Sequence, residues 1–413
     1  MKDSDTMTFR QFLAACCASV FSPLSRLLPR AVLQFAGFSG WLAPLLAMPA
    51  LLVLLLSLRR LLTADGRTLG LAEALELRLG RVPGKVLTVL LSLWLVFYGG
   101  FLLRSGGERL LSTVYHSGKL SFFLIALMGL STIFALGKLR WAGRSAAISL
   151  LLFGGALTFV LILAVPAIKT ENLWPPELTE SAKIAEAVLP VADVLSPWVY
   201  FCFLFGRVRE DEKAFLRSLR AMLIMLAITL LLLASTIGVL GAELSVRQQF
   251  PFFIMLKNLS LFNVMERFDA LILAIWMMTD YISIGMSLLA SSAGLNEAFR
   301  KGKREFYVLP IAAGMLIAAL MMSENAFLFE KISNVITPAV NLGLAFILLP
   351  AISLLPQKNL KKMKKGVDIS GKACYINEAF ARERKTKRQR PPESVPCKLN
   401  NAKLSERTKR ARW

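Results

Sequence analysis

The twenty residues AMLIMLAITLLLLASTIGVL, 221–240, contain no charged side chain. A helix of that length rises about 30 Å, the thickness of a bilayer's hydrocarbon core. Its apolar residues run solid rather than alternating with polar ones, so it reads as a transmembrane helix and not as a barrel strand. Residues 41–58 form a second block of the same kind. Of all 413 residues, 55% are hydrophobic and 18% charged, where a soluble domain carries roughly one quarter charged residues. The chain is a polytopic α-helical membrane protein. That excludes most soluble enzyme classes and secreted disulfide scaffolds.

Working outward from these blocks, hydropathy divides the chain into ten spans: 9–30, 40–58, 86–103, 120–137, 145–165, 188–206, 221–241, 268–295, 306–323 and 335–355. Ten is even, so both termini face one side. Lys and Arg concentrate in the loops on the side of the N-terminus, which makes both termini cytoplasmic. The loop after the fifth span, 169–186, holds four Glu and two Lys and suits the outer side. Residues 1–356 are thus a ten-helix transmembrane domain.

Ten spans also divide into two fives, and two odd-numbered halves must have opposite orientation, the arithmetic of an inverted repeat. The first member of each half carries paired prolines, Pro23 and Pro29 in span 1, Pro190 and Pro197 in span 6. Proline removes a backbone donor and clashes with the carbonyl one turn back, so each pair opens its helix. In lipid, freed backbone groups are tolerated where they line a cavity, so broken helices 1 and 6 point to a binding site near the midplane. Plain kinks are the alternative, since span 2 also carries Pro44 and Pro49.

The net charge of +22 is concentrated at one end, because residues 357–413 hold 18 Lys and Arg against five Asp and Glu. A basic segment beside an anionic inner leaflet explains this without nucleic acid. Its composition is too polar to fold, so it reads as a disordered cytoplasmic tail. With one histidine, His116, and five scattered cysteines, no Cys/His metal site assembles, and no cofactor motif, hydrolytic triad or phosphate loop is present. Leu13-Ala14-Ala15-Cys16 spells a lipidation box, but too short an apolar run precedes it for a signal peptide.

The informative residues lie inside the spans. Asp193 sits between the prolines of span 6, and Asp280 sits mid-span in span 8. A carboxylate at that depth needs a cavity or a partner. Asp280 has no cation within reach along its own helix; it faces the interior and either meets a ligand ammonium or stays protonated. The hydroxyls Ser19, Ser22 and Ser25, with Pro23 and Leu24, form the first break; Ser196 and Pro197 belong to the second, and Tyr281 adjoins Asp280. These ten residues are the candidate ligand-binding set. Arg26 and Arg30 either snorkel to the headgroups or face a carboxylate. Between spans 7 and 8, residues 248–263 place apolar side chains near helical spacing, as an amphipathic connector would.

Phe250-Pro251-Phe252, then Glu266-Arg267-Phe268-Asp269-Ala270 and Ala274-Ile275-Trp276, resembles the spore germination permease family, the B subunits of nutrient germinant receptors in the amino acid–polyamine–organocation superfamily. Leu28-Pro29-Arg30 through Gly40-Trp41-Leu42, Leu71-Ala72-Glu73 with Gly80 and Gly84-Lys85, residues 137–144, and Glu212-Lys213-Ala214 also resemble it. The likeness spans roughly residues 8–355. It implies the ten-helix inverted-repeat fold, an amino-acid-like germinant bound near broken helices 1 and 6, and a complex with an A subunit and a C lipoprotein subunit in the spore inner membrane. The chain departs from the family at Ser19–Leu24, where a glycine-rich break is common. It departs again at Pro197-Trp198-Val199, where Gly-Tyr-Glu is common, and at Ser283, where a Lys is common. Besides the receptor, the residues leave open an H⁺- or Na⁺-coupled transporter of amino acids or amines, and a scaffold that binds no ligand.

Overall fold

The computed structural model describes residues 5–64, 67–113, 118–174, 181–259, 268–300, 302–322, 329 and 331–357. The basic tail, His116 and the Glu266-Arg267 pair lie outside the described residues.

The described residues are helical almost throughout. It opens with α1 (Phe9–Arg26), α2 (Leu28–Ala36) and α3 (Ala43–Leu62), the last two joined by a 3₁₀ turn. A two-stranded ribbon, Thr63–Ala64 with Arg67–Thr68, leads to α4 (Leu71–Leu79), α5 (Arg81–Thr113), α6 (Leu120–Leu136) and α7 (Leu139–Ala164). The short α8 (Ser181–Glu186) leads into the sixth span, which is cut into α9 (Val188–Leu195), α10 (Trp198–Phe201) and a 3₁₀ stretch to Arg207. Then follow α11 (Ala214–Leu240), α12 (Ala242–Arg247), α13 (Pro251–Asn258), α14 (Phe268–Phe299) and α15 (Glu305–Met321). The last span contains α16 (Thr337–Leu342) and α17 (Leu349–Leu354), each preceded by a π-helical stretch.

Among the described residues, six helical stretches are long and apolar enough to cross a membrane: Leu28–Leu62, Arg81–Leu111, Leu139–Ala167, Ala182–Arg207, Ala214–Leu240 and Ile332–Leu354. The shorter apolar helices Leu120–Leu136 and Glu305–Met321 occupy two more expected spans. The outward faces are rich in Leu, Ile and Phe, such as Leu151, Ile133, Phe122 and Ile347. Water would penalise that surface, whereas lipid does not. Eight residues of the expected connector 248–263, Pro251–Asn258, form α13, and the part beyond Leu259 lies outside the described residues.

At the centre, α14 packs against α5, α1 and α6. Close approach depends on small residues on α5, because lipid offers no hydrophobic drive and tight packing must bring helices together. A Cβ at Gly100 would come within 2.8 Å of the Met315 carbonyl on α15.

Both expected breaks differ from simple unwinding. In α1 the helix continues through Pro23 to Arg26, and the interruption falls at Leu27. Pro29 lies in the first turn of α2, where its missing N–H leaves no gap in the ladder. Span 6 is interrupted at Ser196–Pro197, and its winding then tightens to 3₁₀.

The connections between spans gather at two ends. Met7 bridges to Val208, the Leu139 N–H donates to Asp5, and Arg300 pairs with Glu76 at 2.9 Å. Arg78 donates to the carbonyls of Ser353 and Leu355 at 2.7 and 2.5 Å, and to that of Arg60. At the other end, the Lys169 N–H donates to the Gly238 carbonyl at 2.9 Å.

Candidate functional site

The site grows from one missing hydrogen. Pro23 has no N–H to donate to the Ser19 carbonyl four residues back, and a buried carbonyl without a donor is costly in hydrocarbon. Ser283 on α14 fills the vacancy: its hydroxyl donates to the Ser19 carbonyl, and also to that of Thr279 on its own helix at 2.8 Å. The kinked segment of α1 is thereby fixed to α14.

One turn before Ser283, Asp280 points inward and is 5% exposed. Its partner comes from a different helix: Arg109 of α5, fully buried, makes an ion pair with the Asp280 carboxylate. Ser22 donates to the other carboxylate oxygen and accepts from Arg109 at 3.1 Å. The Arg109 guanidinium carbon also lies 4.9 Å from the centre of the Trp276 ring, a cation–π contact in a low-dielectric setting. Phe252 and Phe253 of α13 pack on Trp276 with ring centroids 6.4 and 5.8 Å away. The aromatic residues of α13 and Trp276 therefore hold the ion pair in place. Gly106 gives it room, since a Cβ there would sit 3.1 Å from the Asp280 carboxylate.

A second polar centre joins helix 6 to the last span. Asn341 of α16 donates to the Asp193 carboxylate of α9 at 3.0 Å. Its carbonyl oxygen accepts from Trp94 Nε1 of α5 and from the Tyr200 hydroxyl of α10, each at 3.0 Å. Three spans thus converge on one amide. Trp198, just past the helix-6 interruption, donates from Nε1 to the Cys16 carbonyl of α1 at 2.9 Å. Asp193 of this centre and Arg26 of α1 both act electrostatically on the buried Tyr98 of α5.

Of the candidate residues, Ser22 and Asp280 touch directly, and the Ser19 backbone reaches Ser283. The Ser19 and Ser25 hydroxyls bond within α1, to the carbonyls of Cys16 and Phe21 at 2.8 and 2.9 Å. Ser196 donates to the Asp193 carbonyl at 2.7 Å and closes the end of α9 before Pro197. Leu24 is fully buried, and Tyr281 packs edge-to-face with Phe134, ring centroids 5.6 Å apart. Asp280 is already neutralised by Arg109, so it has no vacancy for a ligand ammonium in this arrangement. Arg26 does not snorkel: it is 1% exposed, walled off from headgroups by its neighbours. Arg109 and Asn341 were absent from the candidate set, because hydropathy does not say which helices become neighbours. The one available signal was their polarity within long apolar spans.

The comparisons bear on this arrangement. The sequence profile described as spore germination protein matches residues 21–327. Spore germination protein KB of Bacillus subtilis (strain 168) is 24% identical over 265 residues, 61% of this chain and 69% of that protein. Among solved structures, a Na⁺-coupled sialic acid symporter in a substrate-bound outward-open state matches with a TM-score of 0.52 at 12% identity, covering 82% of this chain and 78% of its own. A nucleobase-cation-symport-1 family transporter, closed with bromovinylhydantoin bound, matches with a TM-score of 0.54 at 13% identity, covering 84% and 80%. These two likenesses establish a transporter-type fold. The profile covers most of the transmembrane region, from the Pro23 segment of α1 through the helix-6 interruption to α14, and on that ground the chain belongs to the spore germination protein family.

Proposed function

We propose that the chain is the membrane subunit of a nutrient germinant receptor, binding an amino-acid-like germinant near helices 1 and 6 and triggering germination. In this reading it works with an A subunit and a C lipoprotein subunit in the spore inner membrane. It crosses that membrane ten times as two inverted five-helix repeats, with both termini cytoplasmic. Family membership supports the assignment. The clustering of connections supports the topology: 7 with 208, 5 with 139, and 76 with 300 are each separated by an even number of the ten spans.

The observation that carries the ligand site is that Pro23 and the Ser196–Pro197 interruption both meet polar side chains buried away from water. Such polar groups are expensive in a membrane interior unless they serve a ligand or pathway. Ligand binding there shifts a population between resting and responding arrangements, provided the ligand prefers one of them. The fold shared with two cation-coupled symporters keeps coupled transport as the second reading.

Deleting the gene from the spore-former and exposing spores to single amino acids separates the two. The receptor reading expects loss of germination toward one nutrient with its uptake intact. Normal germination toward every nutrient, alongside lost uptake of one, would establish the transporter instead.

A further inference from the structure

We propose that Arg26 is the anchor for a ligand carboxylate, so that the region after Pro23 accepts small carboxylate-bearing solutes and rejects plain amines. The inference rests on the reading of this region as a ligand site, and adds to it the charge that the ligand must bring.

Arg26 closes α1 and is 1% exposed, flanked by the fully buried Leu24 and Leu28. Its Nε has no hydrogen-bond partner, and among the described residues its guanidinium makes no hydrogen bond or ion pair. The charges that act on it are Arg109, Asp280 and Glu108. Neither carboxylate is free to serve it. Asp280 is held by Arg109 and Ser22, and Glu108 is paired with Arg104 at 2.5 Å. The local cluster of described residues therefore has three guanidiniums and two carboxylates, with the excess positive charge on Arg26. The nine-residue helix α2 begins two residues later, and its N-terminal partial charge adds to the same sign.

A buried, unpaired cation is retained against a large desolvation penalty, and the economical resolution is an anion that arrives from outside. A guanidinium matches a carboxylate in planar, bidentate fashion. An ammonium would add to the like charge. The site thus demands a carboxylate first; an amino group on the same ligand is tolerated rather than required.

The test uses the full chain in nanodiscs and its thermal unfolding midpoint with sodium propionate, L-alanine, ethylamine hydrochloride and sodium chloride. Propionate and L-alanine should raise the midpoint, and ethylamine and chloride should not. Arg26→Gln should weaken the propionate response at least roughly tenfold, the scale of one charge-assisted pair, while Arg26→Lys retains part of it. Without ligand, Arg26→Gln should unfold at the same or a higher temperature, because it removes an unpaired buried charge. A lower unliganded midpoint with the propionate response intact would show a structural role and overturn the proposal. So would equal stabilisation by chloride. A response to ethylamine alone would overturn the carboxylate assignment and leave the ligand-site reading standing, whereas silence toward every probe would overturn both.

Discussion

Arg109 and Asp280 are 171 positions apart, and their pairing is what removes a charge from the bilayer interior at Asp280. With both partners buried, removing either breaks an ion pair set away from water. Arg109→Gln or Asp280→Asn should each cost about 3–5 kcal/mol, and the double variant should recover most of it. Thermal unfolding of the four proteins in a double-mutant cycle measures this; additive losses would mean that the pair is not the relevant interaction. At the C-terminal end of α14, past the expected span, Glu297 has a different problem. Burial pushes its pKa up to about 7, against the opposing pull of Arg207, and its Oε2 lacks a hydrogen-bond partner. The folded state thus holds this proton more tightly than the unfolded chain does. Stability from this group is greatest below about pH 4.5 and is lost as pH rises through about 7. Glu297→Gln should flatten that part of the stability–pH curve, and an unchanged slope would assign it elsewhere. At this scale the sequence showed that Asp280 was buried and needed company, since no cation shares its helix face. It did not show Arg109, because a partner on another helix is fixed by packing and leaves no periodic trace in the chain.

The same limit operates on elements. Pro23 announces a disturbed ladder at the Ser19 carbonyl, but not the donor that repairs it. Because Ser283 makes that repair, the expected opening in helix 1 becomes a kink, and winding persists to Arg26. Ser283→Ala should orphan the carbonyl and cost about 1–3 kcal/mol. In a Pro23→Ala background residue 23 can donate, so the same change should cost little. Equal costs in both backgrounds would separate Ser283 from the break. The final span shows a related device. Pro338 and Pro350 cannot donate to the carbonyls of Asn334 and Phe346, and those residues lie in the π-helical stretches 332–336 and 343–348. Widened turns of this kind recur at functional sites, and here they bracket Asn341, the amide on which α5, α9 and α10 converge. Asn341→Leu should loosen helix 6 from the last span. Faster amide exchange over 191–201 is the expected sign, and unchanged exchange would reduce Asn341 to local packing. The long apolar spans were legible because hydropathy over twenty residues is a strong signal. The subdivision of span 6 was legible through its prolines, and the π-helical stretches were not, because no composition marks them.

For the whole molecule, the decisive features are an apolar outer face and a polar seam running from Arg26 through Asp280 to Asn341. A helical membrane protein and the family resemblance were legible, since they rest on many residues at once. The seam was not, since it is assembled from α1, α5, α9, α14 and α16. The gathered loops group 138 and 210 with the N-terminus, and loop charge assigns that side to the cytoplasm, so fusions of a reporter active only in the cytoplasm should work at 138 and 210 and fail at 171. The reverse pattern would invert the topology. The central claim is that a germinant enters between helices 1 and 6 and is held by this seam. The most direct measurement is hydrogen–deuterium exchange of the full chain in nanodiscs, with and without the nutrient identified by the deletion panel. The account predicts slower exchange over 16–30 and 191–207; unchanged exchange there, with protection confined to other segments, would contradict it.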